Sequence, residues 1–159
     1  MTYVALLRGI MPMNPNMKGE KLRAVFEGLG FKNVHTVIAS GNVVFDSPSK
    51  STASLEAKIE KELPKKLGFN SATIIRSRAE LDALVKKNPF KGVKDEKPNY
   101  LVVTFFKDRR PELCTTLQIG EIGTSNFMSK LEREHGKLMT TRTWKTVHRI
   151  LKEMEITAV

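Results

Sequence analysis

Within residues 1–76, short segments of β pattern are interleaved with helical ones in the order strand, helix, strand, strand, helix, strand. That order leaves few ways to bury every apolar face. Residues 3–8 (Tyr-Val-Ala-Leu-Leu-Arg) read as a strand with apolar side chains on both faces. Gly9 to Asn16, with Pro12 and Pro15, reads as a loop. From about Met17 a helix is expected, because Leu22, Val25, Phe26 and Leu29 form one stripe and Gly30 suits a left-handed cap. Residues 33–39 form a second strand, with Val34, Thr36 and Ile38 on one side and His35, Val37 and Ala39 on the other. Ser40-Gly41-Asn42 is a tight-turn signal, and Val43 to Phe45 returns as the other arm of a hairpin. Leu55, Ile59, Leu63 and Leu67 mark a second helix. Pro64 lies inside it, and proline in a helix interior costs about 3 kcal/mol, so a kink or early end is predicted there. Ala72 to Arg76 supplies the fourth strand.

Right-handed crossovers convert this order into a four-stranded antiparallel sheet with two helices on one face, an α+β fold of the ferredoxin-like βαββαβ plan. In its simplest form the first and third strands are taken as parallel neighbours, which puts Arg8 and Ser40–Asn42 at opposite ends of the sheet. The plan hosts many unrelated functions and assigns none.

Ser77 and Glu80 form a capping box for a third helix through Leu81, Leu84 and Val85, ending before Asn88-Pro89. Residues 91–99 are polar and charged. The expected division is therefore a first unit over 1–90, a linker over 91–99, and a smaller α/β half over 100–159. That half should contain a strand at Tyr100–Phe106, a turn or short helix at Arg109–Pro111, and a helix over Ser125–His135 with Phe127, Met128 and Leu131 inward. A last helix is expected from near Thr143 to about Met154.

Three segments, Ala5–Ile10, Thr36–Phe45 and Thr140–Val147, resemble in order and spacing the bacterial domain of unknown function 1697 family, over nearly the whole chain. The resemblance implies an α+β protein with a second, related α/β half, and no activity, the family being uncharacterised. This chain departs from the family pattern in three places. Met11 and a proline-rich loop replace an asparagine and a glycine-rich loop. Thr143 replaces an asparagine before the tryptophan. The stretch from Phe106 to Gly123 is short where relatives carry an extra strand pair, which implies an incomplete second half.

Charge narrows the partners. The 159-residue chain carries a net +10, and half of that excess falls between Ser129 and Lys152, where seven Lys/Arg meet two Glu. Such a balance favours anions: nucleic acid, another polyanion or a phosphorylated ligand. On a helical wheel Lys145, Arg149 and Lys152 fall within about 80° of Arg142, opposite Trp144, Val147, Ile150, Leu151 and Met154. This stripe is the leading anion-binding candidate; a solvated helix face is the plainer reading. A phosphate at the helix start around Thr141–Thr143 competes with Thr143 acting simply as N-cap.

A small-ligand site is the alternative, drawn from Arg8, Ser40, Asn42, Arg142 and Trp144. Arg8 closes a buried strand and either lines a ligand edge or pairs with Asp46. Base stacking on the sheet is disfavoured, since Tyr3 is present but the third strand lacks an aromatic-rich octamer. His35, His135 and His148 have no metal spacing, and no nucleophile elbow, phosphate loop or cofactor fingerprint is present. Cys114, the single cysteine, lies near Arg109 and Arg110, which would lower its pKa, or is simply buried. Apolar runs reach only about five residues against the ~20 of a membrane helix, and the N-terminus has no basic start or long apolar stretch. A cytoplasmic location is expected. Three functions are thus open: a non-enzymatic binder of anions through the last helix, an enzyme or ligand-binding protein with a pocket between the halves, and a self-associating protein.

Overall fold

The strand β1 (Thr2–Leu7) alternates Tyr3, Ala5 and Leu7 with Val4 and Leu6, and all five are buried. A sheet built on such a strand needs cover on both faces. Its neighbours are β2 (Lys32–Thr36), β3 (Asn42–Asp46) and β4 (Thr73–Ser77), in the order β2-β3-β1-β4. All pairings are antiparallel. The computed structural model describes residues 1–39, 41–118 and 124–157.

One face is covered by α1 (Gly19–Gly28) and α2 (Thr52–Leu67). Tyr3, Ala5, Leu7, Val43, Phe45 and Ile75 meet Leu22, Val25 and Phe26 of α1 and Leu55, Ile59 and Leu63 of α2. Pro64 neither ends α2 nor leaves it short. The helix runs on to Leu67, and Gly68, at φ +76°, closes it with an N–H bond to the Pro64 carbonyl. Burial of Leu55, Ile59 and Leu63 in the turns before Pro64 offsets the proline penalty. The Ser77–Glu80 capping box opens α3 (Arg78–Lys86) as its sequence predicts.

The second half is a three-stranded antiparallel sheet, β6-β5-β7, from β5 (Asn99–Phe106), β6 (Leu113–Gln118) and β7 (Met139–Thr143). Between β6 and β7 lies α4 (Thr124–His135), whose Phe127, Met128 and Leu131 pack with Phe106 and Met139. The chain closes with α5 (Trp144–Thr157). Val4, Leu6, Val44 and Ile74 of the first sheet share one core with Leu101, Val103 and Phe105 of the second. Leu81 and Leu84 of α3 and Val147, Ile150, Leu151 and Met154 of α5 complete it. α5 touches β1 and β3 on one side and β5 and β7 on the other.

Two expectations are corrected. β1 and β3 are antiparallel, not parallel, with Leu6 opposite Asn42, so Arg8 and the Asn42 turn lie at the same end of the sheet. Thr140–Thr143 is an edge strand, so the last helix starts one residue later than expected and Arg142 is not on it.

If α5 joins the two sheets into one core, a cavity at Ile150 must weaken both. Ile150→Ala is expected to cost about 2–5 kcal/mol. Urea unfolding followed by far-ultraviolet circular dichroism should remain a single transition; two transitions would show independent halves.

Candidate functional site

Alternation along β7 turns Arg142 and Thr140 inward, beside Val103 and Phe105 of β5, and leaves Thr141 and Thr143 on the side of α4. Arg142 is 8% exposed. A guanidinium carries five N–H donors in a fixed plane, and here all five meet neutral oxygens. Nε donates to Asn42 Oδ1 at 2.6 Å. Nη1 donates to Thr140 Oγ1 at 2.5 Å and the Thr141 carbonyl at 3.0 Å. Nη2 donates to the Leu7 carbonyl at 2.9 Å and the Gly41 carbonyl at 3.4 Å. Burial lowers its pKa to about 10, still far above neutrality, so the group remains charged.

The turn that meets Arg142 is shaped for the approach. Gly41 sits at φ +82°, and a Cβ there would come within 2.5 Å of Ile10 Cγ1 and 3.1 Å of the Leu7 carbonyl. Asn42 is fully buried and donates from Nδ2 to the Val37 carbonyl at 3.0 Å, which leaves its oxygen aimed at Arg142. Ile38, a β-branched residue, is held at φ +60° and half exposed beside this turn, a conformation that costs such a side chain strain.

Arg8 emerges from the end of β1 and reaches over to the second half. Its Nη1 donates to the Met139 carbonyl at 2.9 Å, and its Nη2 forms an ion pair with Glu132 of α4. Its partner is therefore Glu132 rather than Asp46, which instead accepts from Thr2 and Asn33. Arg8 and Arg142 together occupy the Met139 and Thr141 carbonyls on the open edge of β7.

Above these arginines runs an open groove of about 400 Å³ between the two sheets. Its walls are apolar at Ile10, Tyr100, Val102, Phe127, Met128 and Met139, and its floor carries Arg8, Arg142 and the threonines of β7. Size and lining fall in the range of small-molecule sites, mostly apolar with a few converging polar groups. Because Arg142 is balanced only by dipoles, it projects positive potential into the groove.

The candidate residues fall into separate places. Arg8, Asn42 and Arg142 converge, but Trp144 points into the shared core against Phe90 and is absent from the groove's lining. Ser40 lies outside the described residues. Of the expected basic stripe, Lys145, Arg149 and Lys152 are exposed on α5, while Arg142 is withdrawn into β7 with every donor taken. Thr143 is the N-cap, accepting from the Thr146 N–H at 3.2 Å. His35 lies 3.5 Å from Glu153, and His148 stacks edge-on against Trp144. Tyr3 is buried and donates to the Ser49 carbonyl, so no face of the first sheet is open for stacking. Burial and Glu112 push the Cys114 thiol up rather than down, against the effect expected from neighbouring arginines.

Sequence reasoning missed Glu132 and the β7 threonines. It also missed a charged lattice on the open edge of β4. There Glu60 and Glu56 accept from the Thr73 and Ile75 N–H groups at 3.0 and 2.8 Å. Lys107 and Arg109 donate to the carbonyls of the same two residues. Buried Arg76 bonds the Phe106 carbonyl at 2.9 Å, tying β4 to β5. The i,i+4 recurrence of Glu56 and Glu60 on the inner face of α2 was the signal available for this lattice.

Among the described residues, the fold and groove define a mixed α/β protein of two antiparallel sheets and five α-helices, with an open groove where the sheets meet. The family model described as Protein of unknown function (DUF1697) matches residues 1–130, and the chain belongs to that family. The match stops short of the Thr140–Val147 segment. The structure is similar to that of the conserved bacterial protein SP0830 from Streptococcus pneumoniae, with a TM-score of 0.73 and 18% identity over 97% of this chain and 98% of that one. No curated protein matches the sequence. Among the described residues, no helix is long and apolar enough to cross a membrane.

Replacing Arg142 removes a donor from five oxygens, of which the Gly41 carbonyl keeps the Leu7 N–H. Arg142→Met is expected to destabilise by about 3 kcal/mol or more, measured by urea denaturation. A change under about 1 kcal/mol would show that the contacts do not hold the halves together.

Proposed function

We propose that this chain is a binding protein of ferredoxin-like α+β plan whose groove between the sheets takes a small anion with an apolar body. The observation that carries the reading is Arg8. Two of its five N–H groups are used, its side chain is 24% exposed, and it stands on an apolar groove beside a buried, dipole-balanced cation. An anion there gains a charge-assisted bond to Arg8 and the attraction of Arg142. The division into residues 1–90, a linker over 91–99 and a smaller half over 100–159 suits this reading, since the groove lies where the two units meet.

A second reading keeps the basic helix. Lys145, Arg149 and Lys152 lie within one exposed face of α5 and offer phosphate contacts to a nucleic acid, without Arg142. Aromatic stacking has no part in it, because the sheet's aromatic rings are packed against helices.

The two readings separate by experiment. Isothermal titration with octanoate should give saturable binding that Arg8→Gln weakens by about tenfold or more, while octanol binds poorly. No heat with octanoate removes the groove reading. For the helix, labelled DNA in a salt series should show a slope in log K against log salt that flattens by about 2.7 when Lys145, Arg149 and Lys152 become glutamine. An unchanged slope removes that reading.

A further inference from the structure

The groove's arginine already has one carboxylate partner. Glu132 of α4 is not itself in the lining but pairs with Arg8, which is, while Met128, one helical turn earlier, and Phe127 line the adjoining wall. Leu131 anchors the same helix against Phe106 and Met139. α4 thus presents an apolar surface that ends in a carboxylate on a short methylene stem.

Resting on the groove reading, we infer that Glu132 stands in at Arg8 for the ligand's charged group, and that the ligand is a monocarboxylate with an apolar body. The groove's donors favour this class over a phosphate. Of its two lining cations, Arg142 has all five N–H groups committed, so Arg8 alone has donors to give. Two nearby hydroxyls are engaged with other threonines: Thr141 with Thr104 at 3.1 Å and Thr143 with Thr146 at 2.9 Å. A dianionic phosphate would leave oxygens unsatisfied, whereas one arginine matches one carboxylate. The Arg8–Glu132 pair is a quarter to a third exposed on its two sides, and ion pairs of that kind contribute little. An incoming carboxylate therefore displaces Glu132 at small cost, and Glu132 sets a threshold below which weak anions do not bind.

The test compares the unmodified chain, Glu132→Gln and Arg8→Gln, each checked for folding by circular dichroism. Each is titrated with octanoate, octanol and inorganic phosphate by isothermal titration calorimetry, and the Arg8 Nε–H resonance is followed in the two chains that keep Arg8. Glu132→Gln should bind octanoate about two- to fivefold tighter, with phosphate weak throughout and Arg8→Gln losing binding. Equal octanoate affinity in the unmodified chain and Glu132→Gln overturns the role of Glu132 while the groove reading stands. Phosphate binding tighter than octanoate overturns the ligand class. No binding of octanoate to any of the three overturns both.

Discussion

Arg142 holds together segments that lie more than a hundred residues apart in the chain. Its plane of donors meets the last carbonyl of β1, the turn before β3 and two oxygens of β7. Each partner has a fixed direction, so the two sheets are held at one offset rather than sliding across their shared apolar layer. Hydrophobic packing is non-directional and does not set that offset alone. The cost is a buried charge without a carboxylate among its hydrogen-bond partners, and the same charge makes the groove attractive to anions.

Side chains, rather than further strands, finish the sheets. On β7 two arginines take the outward carbonyls, and on β4 two glutamates and two cations take both the donors and the acceptors. Open edges invite pairing with other chains, and covering them with charge suppresses it. The lysines and arginines that raise the net charge are therefore partly structural. Arg8, Arg76, Lys107, Arg109 and Arg142 all bond backbone carbonyls across element boundaries. The +10 of the whole chain overstates what is available to a partner.

What could be read beforehand was local. Spacing at Leu22, Val25 and Phe26, the Ser77–Glu80 box and the Ser40–Asn42 turn each carry their signal within a few residues, and the strand and helix order followed. The β7 strand escaped because Thr140–Thr143 runs straight into α5, and Arg142 happens to lie three residues before Lys145, the spacing of a helical face. The β-branched threonines were the evidence for a strand. Arg8 with Glu132 is a pair 124 residues apart, which no spacing rule reaches. The direction of β3 against β1 was misjudged because the strand between two parallel members of a split βαβ unit must run opposite to both.

The position of α5 also orders events during synthesis. With α1 and α2 in place, the first sheet can close one side early, yet Val4, Leu6, Val44 and Ile74 on its other side wait for a helix made some seventy residues after β4. Until then that β-surface is only partly covered, by α3 and β5. Apolar surface left exposed in that interval is the kind that drives incompletely folded chains to associate.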